Sequence, residues 1–206
     1  MLFRSHWWFV GRRKIIESFI ERVCLALKSK VPVREAPHIL DVGCGTGANL
    51  EMLAQFGNAE GVDVSAEALE FCRARGLRQV KQGAAEALPY GDHSFDLVTG
   101  LDVVEHLDDD VAGLKEMRRV LRDGGRAVLF VPAFMFLWGV QDDISHHRRR
   151  YTVKKVRTPN GEGVRTDHEL PCGSDGQLSA TCRDFLRSVT RQSTNPDRIA
   201  DGLRSK

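Results

Sequence analysis

Ile39-Leu40-Asp41-Val42-Gly43-Cys44-Gly45-Thr46-Gly47-Ala48-Asn49-Leu50 decides how this chain is read. A short apolar run carries a carboxylate, glycines follow at alternate positions, and a helical pattern begins behind them. That order reads as strand, tight loop, helix. Glycine in such a loop lets backbone approach a ligand that side chains would block. About 20 residues past the first glycine, Gly61-Val62-Asp63-Val64-Ser65 forms another short strand ending in a carboxylate. A carboxylate at the tip of a second strand is well placed to bind ribose hydroxyls. Together the two segments imply a nucleoside-bearing cofactor.

Working outward, Ile15, Ile16, Phe19, Ile20, Val23 and Leu27 recur at helical spacing over residues 12–28. Strands are expected at about 38–43, 59–64, 79–82, 95–101 and 126–131. Helices are expected at 46–56, 65–75 and 109–121, with Ser65 as a cap and Gly57 and Gly76 as stops. Such alternation predicts an α/β fold: a Rossmann-like, doubly wound, mostly parallel sheet with helices on both faces. Ligands of such sheets sit at the carboxyl ends of the strands, where Asp41, Asp63, Gly83 and Asp102 would lie.

Gly43, Gly45 and Ala48 also satisfy the looser dinucleotide pattern. Asp41 weighs against it, since it would repel a pyrophosphate and attract a cationic amino-acid ligand. Four segments then occur in order: Asp41-Val42-Gly43-Cys44-Gly45-Thr46-Gly47, Ala87-Leu88-Pro89-Tyr90, Ser94-Phe95-Asp96-Leu97-Val98 and Arg119-Val120-Leu121-Arg122-Asp123-Gly124-Gly125. This set resembles the class I S-adenosylmethionine-dependent methyltransferases, in particular their small type 11 group, over roughly residues 38–133. The resemblance implies S-adenosyl-L-methionine as cofactor, held by Asp41, Gly43, Cys44, Gly45, Gly47, Asp63, Val64, Ala85, Glu86 and Leu101. Family members often carry an acidic residue on the adenine amino group where Ala84 stands; here the Ala85 backbone and Glu86, or packing alone, must serve. The acceptor implied is a small molecule or a lipid-linked metabolite. Two other readings stay open: a nucleotide-dependent oxidoreductase on the same glycine loop, and an inactive, truncated methyltransferase-like binding domain.

Methyl transfer needs a base only when the acceptor is a hydroxyl or a protonated amine, and His106, His146 and His147 are the candidates. Related methyltransferases show segments like His6-Trp7-Trp8-Phe9-Val10-Gly11-Arg12-Arg13 and like Asp142 to Tyr151. Trp8, Arg149 and Tyr151 are accordingly the expected substrate contacts, the first in a lid and the others beside an anionic substrate. A packed N-terminal helix and a solvated basic loop are the plainer alternatives. Asp102, Glu105 and His106 read first as a pocket wall and helix cap with no metal; the sharper reading makes them ligands of a divalent cation. That pattern looks like the metal motif of some quinone and RNA-end methyltransferases.

The formal net charge of +2 does not imply strong nucleic-acid binding. Five scattered cysteines without metal or disulfide spacing, and no signal peptide, read as a reduced, cytoplasmic chain. No apolar run is long enough to cross a bilayer. The expected division is a helical lid over 1–37, a methyltransferase core over 38–155 and an atypical, poorly ordered tail over 156–206. The tail is rich in Gly, Ser, Thr and Arg, as though the reading frame had shifted, and only residues 178–191 read as helical. The sheet is therefore expected to lack its final two strands, leaving strand five as an open edge along which a homodimer would form.

Overall fold

The computed structural model describes residues 7–28, 36–151 and 177–181. Helix α1 (Trp7–Lys28) leads into strand β1 (His38–Val42). Then come α2 (Ala48–Leu53), β2 (Asn58–Asp63), α3 (Ala66–Ala74), β3 (Val80–Gln82) and β4 (Phe95–Leu101). Helix α4 (Asp110–Val120), strand β5 (Leu121–Pro132), the short α5 (Val140–Ile144) and strand β6 (Gln177–Thr181) follow. The sheet order is β3-β2-β1-β4-β5-β6. Strands β1 to β5 run parallel, and β6 is antiparallel to β5.

Side-chain alternation along the central strands sorts the core onto the two faces of the sheet. Ile39, Leu97, Val128 and Phe130 pack under α1 and α2 with Ile16, Ile20, Leu27 and Leu53. Their neighbours Leu40, Val98, Leu129 and Val131 pack on the other face with Leu114, Met117 and Val120 of α4. Two helices begin on side-chain caps: Ser65 accepts from Ala68 N, and Asp109 accepts from Ala112 N.

The structure shifts several expected boundaries. Helix α1 starts at Trp7, five residues before its expected start at residue 12. Helix α2 starts only at Ala48, because Gly47 holds a left-handed φ of 82°. Strand β5 starts at Leu121, which pairs with Phe95; regular pairing resumes at Arg126, after Gly124 at a φ of 84°.

The expected open edge on β5 is corrected. Val128 to Pro132 pair with Gln177 to Thr181, so one strand covers that edge, and the motive for a homodimer along it is gone. Part of the expected 178–191 helix is therefore strand, because a β-partner with open N–H and C=O groups outweighs weak helical periodicity. The rest of the expected tail lies outside the described residues. Among the described residues no helix is long and apolar enough to cross a membrane.

Candidate active site

The glycine loop sits where β1 ends, between β2 and β4. Gly43, Gly45 and Gly47 all adopt positive φ, a conformation other residues enter at a cost. The space in front of the loop differs along it. A Cβ on Gly43 would lie 2.6 Å from Val103 Cγ2, and one on Gly47 would lie 2.4 Å from Leu77 Cδ1. A Cβ on Gly45 would meet no atom within 4 Å, so the middle of the loop opens onto unfilled space.

Two carboxylates serve this loop. Asp63, at the tip of β2, accepts Gly45 N at 2.8 Å and Ser65 N at 2.9 Å. It thus ties loop and following helix to one strand end, with lone pairs left for a ligand. Asp41 is 1% exposed. Its strand neighbour Thr99 donates to Oδ1 at 2.7 Å, while the buried Oδ2 has no partner. Burial pushes its pKa up to about 7; the Thr99 bond pulls it back and the Asp63 charge adds to it. A buried carboxylate oxygen without a donor is suited to a cationic ligand group.

The other expected cofactor contacts fall around this cradle in different ways. Cys44 is buried, and burial raises its thiol pKa, so it is a packing residue rather than a nucleophile. Val64 is 64% exposed just past β2. Ala85 is buried and Glu86 half-buried in the turn after β3. Leu101 points into the core beneath α1, which leaves its backbone for any ligand contact.

The second half of the site follows β4. Asp102 takes a positive φ of 59°, and its carboxylate is bonded to Arg12 of α1. Arg12 also lies over the Phe130 ring, 4.7 Å from its centroid. The helical face expected to unite Asp102, Glu105 and His106 is therefore corrected: only Val104–His106 forms a single 3-10 turn, and Asp102 stands outside it. Instead Glu105, His106 and His147 come together, with ligand atoms within 4.8 Å of one another. The His106 and His147 rings meet edge to face at 4.8 Å. Glu105 is fully buried with both carboxylate oxygens unpartnered, and burial, with Asp102 adding, pushes it up to about 8. Burial and the neighbouring His147 lower the pKa of His106, which favours its neutral imidazole. His146 is next to this group in the chain but exposed.

A buried ion pair fixes His147. Asp142 Oδ1 bonds His147 Nδ1 at 2.8 Å, while Arg150 bonds both Asp142 oxygens at 2.8 and 2.9 Å. Burial alone would raise Asp142, but the bonds from Arg150, His147 and Gly139 hold its carboxyl well below the usual range. An ionised Asp142 can only accept, so Nδ1 carries a proton and Nε2 is the ring nitrogen left for another partner.

The other basic residues of this segment are committed within the protein. Arg148 pairs with Asp108, and Arg149 pairs with Asp110 while bonding the Leu107 and Asp108 carbonyls. The Tyr151 hydroxyl donates to Asp110 at 2.8 Å. Through these bonds Arg149 and Tyr151, the expected substrate contacts, fasten their segment to Asp110 at the start of α4, and Arg149 also to the turn before it. Trp8 stands in the first turn of α1, and its side chain lies outside the described residues. Thr99, Asp142 and Arg150 had no assigned role in the sequence reading. Thr99 meets Asp41 only through strand register, and the 142–150 pairing lies on a loop without periodicity.

The type 11 family model, a methyltransferase domain, matches residues 40–129. Methyltransferase GfsG of Streptomyces halstedii is 36% identical over 134 residues, covering 61% of this chain and 47% of its own length. Demethylmenaquinone methyltransferase of Chlorobaculum parvum is 35% identical over 116 residues, covering 54% and 48%. The solved structure of Streptomyces venezuelae DesVI matches with a TM-score of 0.52 at 26% identity, covering 64% of this chain and 57% of that one. Fold, loop and relatives agree: over residues 40–129 the chain matches a methyltransferase domain and is similar to the class I S-adenosylmethionine-dependent methyltransferases. It spans about half the length of the curated relatives it matches.

Proposed function

We propose that this chain transfers a methyl group from S-adenosyl-L-methionine to a small-molecule or lipid-linked acceptor. The observation that carries the reading is the buried, unpaired Oδ2 of Asp41 under the glycine loop. It suits the ammonium of an amino-acid cofactor and would repel a pyrophosphate, which argues against the oxidoreductase alternative. The open space at Gly45 supports a ligand lying against the loop. In this reading Asp41 faces the ammonium, Gly43 to Gly47 line the amino-acid part, and Asp63 takes the ribose hydroxyls. Ala85 and Glu86 flank the adenine.

When bound, the cofactor supplies a methyl group already activated on a sulfonium. The protein's share is proximity and alignment. A hydroxyl or protonated amine acceptor must lose its proton, and Glu105, His106 and His147 are the groups gathered for that task. Demethylmenaquinone methyltransferase is a relative whose name supports a small-molecule acceptor.

Isothermal titration of the full chain with S-adenosylhomocysteine tests the reading. One-to-one binding is expected, with Asp63→Ala weaker by roughly 10- to 100-fold, the scale of a lost hydrogen bond to a charged group. Gly45→Val should lose binding while keeping its fold. Binding of NADP together with indifference to S-adenosylhomocysteine would overturn the proposal.

A further inference from the structure

We infer that Glu105, His106 and His147 form a binding site for one divalent transition-metal cation, of the zinc, manganese or cobalt kind. Three features of the cluster lead there. Its donors are a carboxylate and two imidazoles from two separate segments, with ligand atoms within 4.8 Å of one another. In a tetrahedral site donor atoms lie roughly 3.3 Å apart, as metal–ligand bonds of about 2.0–2.2 Å require, so a small closure completes the set. Glu105 is fully buried and neither carboxylate oxygen has a partner, which is costly unless a cation arrives.

The surroundings are arranged for ligation. Asp142 holds His147 Nδ1 at 2.8 Å and is itself held by Arg150, so His147 Nε2 is the free lone pair. The cation acting on Glu105 from outside the cluster is Arg12, and its guanidinium is already bonded to Asp102. One carboxylate and two imidazoles favour a borderline transition ion over magnesium or calcium, which prefer oxygen donors. Three protein ligands leave a position open.

The placement gives the cation a role that rests on the methyl-transfer reading. Val103, two residues before Glu105, packs over Gly43 of the cofactor loop, so the cluster adjoins the cradle. A hydroxyl bound at the open position becomes more acidic. Its proton passes to solvent, an oxygen electron pair forms the bond to the methyl carbon, and the carbon–sulfur pair returns to sulfur.

The test uses the full chain, stripped with chelator and titrated with cobalt(II) in the absence of any cofactor. One equivalent is expected, with visible absorption of nitrogen and oxygen ligation and no thiolate charge-transfer band. Glu105→Gln and His147→Ala, each checked for folding by thermal melting, should bind at least tenfold more weakly. No stoichiometric binding, a thiolate band pointing to the cysteines, or equal affinity in folded variants would each overturn the site. If neither variant folds, the wild-type stoichiometry and spectrum decide alone. Repeating the S-adenosylhomocysteine titration on the chelator-stripped chain makes failure of the metal site and failure of the methyltransferase reading separable.

Discussion

Asp41 carries an unusual burden for a single residue. It is buried, half-satisfied by Thr99, and held near a pKa of 7 with Asp63 and Cys44 close by. A carboxyl raised in the folded state stabilises the fold fully below its ordinary value of 3.8, and that contribution is lost as pH rises through about 7. A cationic ligand reverses the preference, because it binds the ionised form. The affinity for S-adenosylhomocysteine should therefore rise between about pH 5 and pH 7, by up to about tenfold per unit, and level off above. Asp41→Asn should flatten that rise. A wild-type affinity that does not change over this range would remove Asp41 from the cofactor's ammonium. Asp41 and Asp63 were legible in the sequence because their message is local, a carboxylate at a strand end beside glycine. Thr99 was not, since it lies 58 residues away and only parallel register brings it opposite Asp41.

At the scale of elements, the regular pieces were easy to read and the connections were not. Strand β4 and helix α4 declare themselves by apolar period, and both ended within a residue of their expected limits. The segment from Asp142 to Tyr151 has no period to read. Its order comes from charge pairing with Asp110 at the start of α4 and from the buried Asp142–Arg150 pair. That pair has a measurable consequence. Asp142→Asn leaves the buried Arg150 without its counter-charge and frees the His147 ring. Breaking a buried pair from one side costs roughly 3–5 kcal/mol, which urea unfolding at pH 7 would show. A loss below about 1 kcal/mol, the scale of a surface pair, would mean that the pair does not hold the segment. Because the folded-state pKa of Asp142 is depressed, its contribution is present above the ordinary 3.8 and lost as pH falls below that value. The wild type should accordingly lose stability in acid more steeply than the Asn variant.

At the scale of the whole molecule, the carboxyl ends of β1, β2 and β4 gather the glycine loop, Asp41, Asp63 and the Glu105 cluster on one edge of the sheet. The opposite concern is how the sheet is closed beyond β5. From composition alone the tail offered no strand, because Gln177 to Thr181 is short and mostly polar or small, with Leu178 its one large apolar residue. What recruits it is the row of open N–H and C=O groups along β5, a property of the partner and not of the recruit. Among the described residues β6 is the edge, so its consecutive residues alternate in aiming their N–H groups at β5 or away. Proline tests this with an internal control, since it is tolerated where the N–H points outward and harmful where the ladder needs it. Of Ser179→Pro and Ala180→Pro, one should therefore lose about 2–3 kcal/mol in urea unfolding and begin to self-associate by light scattering. The other should stay close to wild type on both measures. Equal behaviour of the two variants would mean that β6 does not pair with β5, and the open edge expected from the sequence would return.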